Sequence, residues 1–259
     1  MNTDDYLKRI KYEGRQFPGL EFLRGLQEAH LMCVPFENLD IHYGNRIELN
    51  VESFYHKVVL ERRGGFCYEL NSLFQGLLEK LGYETKLISA RVYSTQSNDF
   101  GAEYDHLAII INLEQDEYLV DVGFGEFAFH PLKLEMNTIQ SDPRGQFVIE
   151  QFEKEYYKVS RIEGETKSIQ YIFSTKNRDL MEFAEMCHYH QTSPDSHFTR
   201  KKLISIPSEK GRVTITGNLL KVTENGKTVH EYEFAPAEFG RYLHEYFGMD
   251  ESKLIGKSS

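Results

Sequence analysis

The apolar positions change their period near residue 82. From Leu70 they fall at Leu70, Leu73, Phe74, Leu77, Leu78 and Leu81, the spacing of a helix with one buried stripe, and Gly82 is a natural C-terminal stop. Upstream, Tyr6-Leu7-Lys8-Arg9-Ile10 behind Asp4-Asp5, and Leu20 to Met32 with Leu23, Leu26 and Leu31, predict two short helices split by Gly14 and Pro18. Val51, Phe54, Tyr55, Val58 and Val59 predict a third after Asn50. Between them Pro35 interrupts helix and leaves Phe36 in an irregular connection, where the plain reading of Phe36 is core. After Gly82, Leu87–Tyr93, His106–Leu113 and Tyr118–Val122 are β-branched, apolar runs of strand length, and Glu114–Glu117 reads as a hairpin turn. Further strands are predicted near Gln146–Phe152, Tyr156–Arg161 and Ile169–Phe173, making the middle third an antiparallel sheet or small barrel. The last section carries Val213–Thr216, then Leu219–Thr223 and Thr228–Tyr232 joined through Asn225-Gly226. Pro236 then opens a closing helix with Phe239, Tyr242, Leu243, Tyr246 and Phe247 on one side.

At 259 residues and 40% hydrophobic the chain can bury a good core and hold two or three subdomains. No stretch approaches a membrane span, and Met1-Asn2-Thr3-Asp4-Asp5 lacks the basic and apolar regions of a signal peptide, so the expected compartment is the cytoplasm and no membrane partner is expected. Three widely spaced cysteines, Cys33, Cys67 and Cys187, make no disulfide framework, and reduced thiols are expected. A net charge of -10 argues against a nucleic-acid partner and leaves any anionic ligand to local features.

Chemistry concentrates on Cys67. The helix predicted from Leu70 places it in or beside the first turn, where free N–H groups and the positive end of the helix dipole favour thiolate over thiol. Gly64-Gly65 would bring the chain sharply into that helix through conformations closed to residues with a Cβ. Taken alone, Cys67 also reads as a small buried side chain and His106 as a satisfied strand-edge histidine. A thiolate needs a base, and the base needs a group to fix its tautomer. If the hairpin turn is Glu114-Gln115, Asp121 lies opposite Ala108 and becomes the diagonal same-face neighbour of His106. A slip of one residue would put it on the opposite face, and the sequence leaves that register open.

Five stretches together resemble the arylamine N-acetyltransferase family. They are Val34-Pro35-Phe36-Glu37-Asn38-Leu39, Arg62-Arg63-Gly64-Gly65-Phe66-Cys67-Tyr68-Glu69-Leu70-Asn71, Asp105-His106-Leu107, Val120-Asp121-Val122-Gly123-Phe124-Gly125 and the weaker Thr192–Phe198. The resemblance implies an α+β fold of papain/transglutaminase-like cysteine type, with a helical N-terminal domain, an antiparallel β-barrel and an α/β lid. In this chain those units would be residues 1–84, carrying the nucleophile, 85–190, carrying the histidine and aspartate, and 191–259. By the same resemblance Cys67 is the acyl-accepting nucleophile, His106 its base and Asp121 the orienter. Phe36 and Phe124 line the aryl-amine pocket, and Phe198 lies near the coenzyme A cleft. The implied reaction is acetyl transfer from acetyl-coenzyme A to a small aromatic amine, with no metal. Gly123, Gly125 and the basic run Arg200-Lys201-Lys202 are the candidates for the coenzyme's phosphates, the basic run reading equally as a solvated face.

Two rivals differ in class. Papain-like and transglutaminase-like thiol hydrolases use the same three residue types, but Gly64-Gly65-Phe66-Cys67 stands where the protease nucleophile signature would be. A zinc module built on Cys187-His188-x-His190 lacks a second ligand pair.

Overall fold

The computed structural model describes residues 1–254, so the end of the unit predicted over 191–259 lies outside the described residues. The chain opens with α1 (Thr3–Arg9) and α2 (Leu20–Cys33), the two predicted helices, followed by β1 (Phe36–Glu37) and α3 (Leu39–Tyr43). The helix predicted after Asn50 is α4 (Val51–Tyr55), capped by the Asn50 side chain, and it widens into a π turn over His56–Leu60. That wider turn buries three consecutive side chains, Lys57, Val58 and Val59, which a regular helix spreads over more of its circumference. The helix α5 (Cys67–Lys80) buries the predicted stripe from Leu70 to Leu78, Leu81 caps it half-buried, and Gly82, at φ +91°, follows.

After Gly82 the chain turns to strand, as its β-branched runs predict. The strands are β2 (Glu84–Ser94), β3 (Asp99–Phe100), β4 (His106–Leu113), β5 (Asp116–Val120), β6 (Leu132–Lys133), β7 (Ile139–Asp142), β8 (Gly145–Glu153), β9 (Tyr156–Glu163) and β10 (Thr166–Phe173). Their order is β6-β5-β4-β2-β10-β9-β8-β7, with β3 beside β2, and every paired neighbour is antiparallel. The two ends of this sheet meet through a side chain. Gln140 of β7 accepts from the Lys133 N–H at 2.8 Å and donates to the Lys133 carbonyl at 2.7 Å, imitating a strand and nearly closing a barrel. After α6 (Ala184–Thr192) and α7 (His197–Arg200), strands β11 (Leu203–Ser208), β12 (Gly211–Thr216), β13 (Leu219–Glu224) and β14 (Lys227–Glu233) extend β1 into a second, five-stranded antiparallel sheet. Pro236 opens a 3-10 turn, α8 (Phe239–Phe247) buries Phe239, Tyr242, Leu243 and Phe247, and a 3-10 turn over Glu251–Lys253 follows.

Strand β4 explains why its sequence is apolar without alternation. Leu107, Ile109 and Ile111 pack outward against α5 and the other helices, while Ala108 and Ile110 fill the barrel, so both faces are dry. Ile109 pairs with Val120, and this register carried on by one step sets Ala108 opposite Asp121. His106 and Asp121 therefore share the barrel-side face at its rim.

Two expectations need correction. Phe36 is not in an irregular connection: β1 pairs with β11 through Phe36 and Ser205, and on its other side Phe36 bridges to Gly65. Gly64 and Gly65 are not in the left-handed region either, which falls instead to Arg62 at φ +60°. The glycines are needed for proximity. A Cβ on Gly64 would stand 2.1 Å from the Pro35 carbonyl oxygen, and one on Gly65 would stand 2.9 Å from the Glu69 side chain.

The entry to α5 is held by a buried ionic network. Lys57 Nζ lies 2.7 Å from Asp40 and 2.8 Å from Glu69, and Arg63 lies 2.6 Å from Asp40 and 2.9 Å from Glu37. Glu69 in turn accepts from the Phe66 N–H at 3.1 Å, capping the helix. Replacing Lys57 by Met would leave three buried carboxylates facing one guanidinium, and unpairing buried charge of this kind costs about 3–5 kcal/mol. Lys57→Met should lower the free energy of unfolding by that amount in urea titration; a change below about 1 kcal/mol would show that the network is not a fold determinant.

Candidate active site

The three residues whose chemistry pointed to catalysis converge. Cys67 is the first residue of α5 and 3% exposed, and its sulfur lies within hydrogen-bonding reach of His106. His106, at the start of β4, faces Asp121 with 2.7 Å between Nε2 and Oδ2. With Nε2 engaged, Nδ1 is the ring nitrogen left for the thiol.

Asp121 is completely buried, and its carboxylate is fully occupied. Oδ1 accepts from Asn71 Nδ2 and from the Gly123 N–H, both at 2.9 Å, while Oδ2 accepts from Tyr171 Oη at 3.0 Å as well as from His106. Four donors on two oxygens satisfy an anion that burial alone would make costly. Asn71 and Tyr171 carried no assigned role in the sequence reading. Asn71 stands one helical turn after Cys67 and could have been found from that i, i+4 spacing. Its amide also donates to the Leu107 carbonyl at 2.6 Å and accepts from the Val122 N–H at 2.9 Å, so one side chain ties helix, strand and loop. Tyr171 comes from β10, with no local signal linking it to Asp121; its ring packs 5.3 Å from that of His106.

Burial pushes the His106 imidazole towards neutrality, but the Asp121 charge and hydrogen bond, then the Cys67 contact, outweigh it and carry the pKa up to about 10. The imidazolium is therefore the resting form at neutral pH. Tyr171 is held well above its ordinary value by burial and by Asp121, so it stays a donor.

Cys67 and His106 open onto a cavity of about 460 Å³ whose wall includes Phe36, Phe124, Phe198, Gly123 and Gly125, while Asp121 lies buried behind it. Phe124 stands edge-on to His106 at 5.3 Å, and Phe36 and Phe198 face each other at 6.0 Å. Gly123 is pressed against the helix start, since a Cβ there would come within 2.7 Å of Cys67 Cα. Gly125 has open space around it. The basic run does not reach the cavity wall. Lys202 sits over the Tyr43 and Phe239 rings at 4.4 and 4.5 Å, and Arg200 donates to the Asp195 carbonyl at 3.2 Å. Of the residues offered as a zinc module, Cys187 accepts from Gln191 at 3.3 Å, and His190 faces Asp105 at 3.2 Å and Ser196 at 3.2 Å. Among the described residues no group of histidine, cysteine and carboxylate side chains is arranged to hold a metal ion, and no helix is long and apolar enough to cross a membrane.

A thiol at a helix start, an imidazole on its flank and a carboxylate behind it define the class of thiol-dependent acyl-transfer sites. Residues 19–254 match the family model described as N-acetyltransferase, and the chain belongs to that family. It is 31% identical over 280 residues to the arylamine N-acetyltransferase pineal gland isozyme NAT-10 of Gallus gallus, covering 98% of this chain and 97% of that one. It is 30% identical to the arylamine N-acetyltransferase of Mycolicibacterium smegmatis, covering 99% and 95%. The solved arylamine N-acetyltransferase of M. tuberculosis superposes with a TM-score of 0.91 at 28% identity, covering 99% of this chain and 97% of that one. That of Bacillus cereus, described as having a unique Cys-His-Glu catalytic triad, superposes with a TM-score of 0.88 at 25% identity, covering 96% and 100%. In this chain the acid facing the imidazole is Asp121.

The raised His106 pKa sets a pH dependence of stability. A group whose folded pKa lies above its unfolded value stabilises fully below the unfolded value, here 6.5, and that contribution is lost as pH rises towards about 10. The thermal midpoint should therefore fall between pH 6.5 and about 10, by an amount on the order of a few kcal/mol in unfolding free energy. Asp121→Asn should flatten that slope; an unchanged slope in a folded mutant would place its origin elsewhere.

Proposed function

We propose that the protein transfers the acetyl group of acetyl-coenzyme A to arylamines, arylhydrazines or arylhydroxylamines through an acetyl-Cys67 intermediate, in the cytoplasm. The observation that carries the reading is the thiol, imidazole and fully bonded carboxylate aligned at the floor of an aromatic cavity, in a chain of the N-acetyltransferase family.

Cys67 reacts as the thiolate, with the His106 imidazolium beside it. The thiolate attacks the thioester carbonyl, and the oxyanion meets backbone N–H groups, that of Cys67 at the free-donor end of α5 among them. Collapse expels the coenzyme A thiolate, which takes the imidazolium proton and leaves as the thiol. His106 is then neutral and can accept a proton. The amine nitrogen attacks the acetyl-Cys67 carbonyl, gives its proton to Nδ1 and departs as the amide, restoring the ion pair. Asp121 holds the ring so that Nδ1 faces the sulfur throughout. Aromatic amines suit the second step because their low basicity keeps them unprotonated at neutral pH. Phe36 and Phe124 provide faces for the aryl ring, and Phe198 is assigned to the coenzyme A side of the cavity.

Incubation with acetyl-coenzyme A and no amine should add one acetyl group to the peptide containing Cys67, read by intact and peptide mass spectrometry. Label on Cys33 or Cys187, or acetyl transfer by Cys67→Ala, would overturn the assignment. With both substrates, double-reciprocal plots should be parallel; intersecting lines would mean direct transfer in a ternary complex. A folded Asp121→Asn protein should lose on the order of 10⁴-fold in rate, because the imidazole loses both its tautomer and its counter-charge. Wild-type rates in that mutant would reduce Asp121 to a structural residue.

A further inference from the structure

A second cavity, of about 230 Å³, shares no wall residue with the catalytic one. Arg9, Lys11 and Arg62 stand on its wall beside the apolar side chains of Met32, Ile206 and Phe247, and no carboxylate does. In a chain with 40 acidic and 30 basic residues, three cations around one hollow without an acid are a local excess of positive charge. Arg9 is only 5% exposed. Its four hydrogen bonds all end on neutral carbonyl oxygens, those of Cys33 at 2.6 Å, Val58 at 2.9 Å, Arg63 at 3.1 Å and Arg62 at 3.4 Å. Burial, then the Arg62 charge, pull its pKa down to about 10, so it remains a cation at neutral pH. Among the described residues no carboxylate pairs with any of the three cations. The Cys33 thiol adds no charge, since burial raises its pKa and its Sγ donates to the Ile10 carbonyl at 3.2 Å. Helix α8 ends on the wall at Phe247, and its dipole supplies only about half a negative charge there. A desolvated guanidinium left without a counter-charge is costly for a fold to keep.

The wall selects the kind of ligand. Arg9 spends most of its donors on carbonyls and contributes charge, whereas the Arg62 fork and the Lys11 ammonium are free to donate to an oxyanion. Met32, Ile206 and Phe247 favour an apolar body behind that group, and a cavity half the volume of the catalytic one suits a small molecule. The position gives such a ligand leverage. Leu203 and Ser205 of β11 line the catalytic cavity while Ile206 lines this one, so the two hollows lie on opposite faces of one strand. Arg62, at φ +60°, forms the turn just before Gly64, and Arg9 clasps the carbonyls of Arg62 and Arg63. An anion held by Arg62 and Lys11 therefore fastens the turn from which the chain enters α5.

We infer that Arg9, Lys11 and Arg62 form a binding site, separate from the catalytic cavity, for a small organic anion with one oxyanion group and an apolar body, and that its occupancy stabilises the entry to α5. The inference stands whether or not the acetyl-transfer reading holds.

The test titrates the thermal midpoint of the full chain, at constant ionic strength, with hexanoate, with hexanamide as its uncharged counterpart, and with inorganic phosphate as an oxyanion lacking the apolar body. Hexanoate should raise the midpoint saturably, and the dissociation constant fitted to the rise should be roughly tenfold to a hundredfold lower than for hexanamide, the range of charge-assisted hydrogen bonds. In the Lys11→Gln, Arg62→Gln double variant that preference should vanish. Arg62→Lys keeps the charge without the fork and should retain part of it, which guards against a variant that merely misfolds. Amide hydrogen exchange across residues 57–67 should slow on adding hexanoate to the wild type and not to the double variant. Equal effects of hexanoate and hexanamide, or no effect of either on the wild type, would overturn the inference. Full hexanoate preference in the double variant would do so too, because it would move binding to another part of the molecule, the catalytic cavity included. Phosphate binding as tight as hexanoate would overturn the role given to Met32, Ile206 and Phe247.

Discussion

The arrangement depends on how the chain is brought into α5. Lys57 and Arg63 face Glu37, Asp40 and Glu69 in a space where none of the five is more than 8% exposed. Buried charges of this kind must keep their ion pairs and hydrogen bonds, so the cluster fixes three separate segments relative to one another. Glu37 and Asp40 flank the start of α3, Lys57 projects from the π turn, and Glu69 caps the helix that begins at Cys67. The two glycines then let the backbone pass against Pro35, which an alanine at Gly64 would forbid. Burial holds Glu69 above its ordinary value, at about 7, because three acids share two bases, while Lys57 and Arg63 keep Asp40 down at about 2. As pH falls through the Asp40 value its contribution is lost, whereas that of Glu69 weakens as pH rises towards 7.

A second junction lies behind the first. Asp121 collects donors from α5, β4, β10 and the loop after β5, so the helical core and the barrel meet at one carboxylate. This explains how a site assembled from distant parts of the chain can be precise in orientation. Cys67 comes from a helix start, and His106 and Asp121 come from the rim of a sheet, each held by backbone or buried side chains. The aromatic rings of Phe36, Phe124 and Phe198 stand on the wall of the cavity onto which Cys67 and His106 open.

Local chemistry made much of this legible. The stripe from Leu70 to Leu81, the stop at Gly82, the Asn225-Gly226 hairpin and the β-branched runs of the middle third report backbone preferences and one-sided burial, which depend on neighbours three or four residues away. The short elements escaped for the same reason. The two-residue strands β1 and β6 exist only because β11 and β5 offer them hydrogen bonds, the short β7 pairs with β8 across a two-residue turn, and β11 was missed beside the basic run that precedes it. Cys67, His106 and Asp121 were found because reactive residue types sat at helix and strand ends and because their flanking stretches resembled a family.

By itself the sequence determined the helix that presents Cys67, the two strands that carry His106 and Asp121, and the chemistry these residues could perform. Only the tertiary structure decided that the register sets His106 and Asp121 on one face, that Asn71 and Tyr171 complete the carboxylate's bonds, that the glycines serve close approach, and that Arg212 lines the catalytic cavity. The physical reason is range. Helix and strand preferences act within a few residues, whereas burial, ion pairing and register are settled by groups that meet only after the chain has folded, and a charge separated by 145 positions from Cys67 in the sequence has no way to signal that both line one cavity.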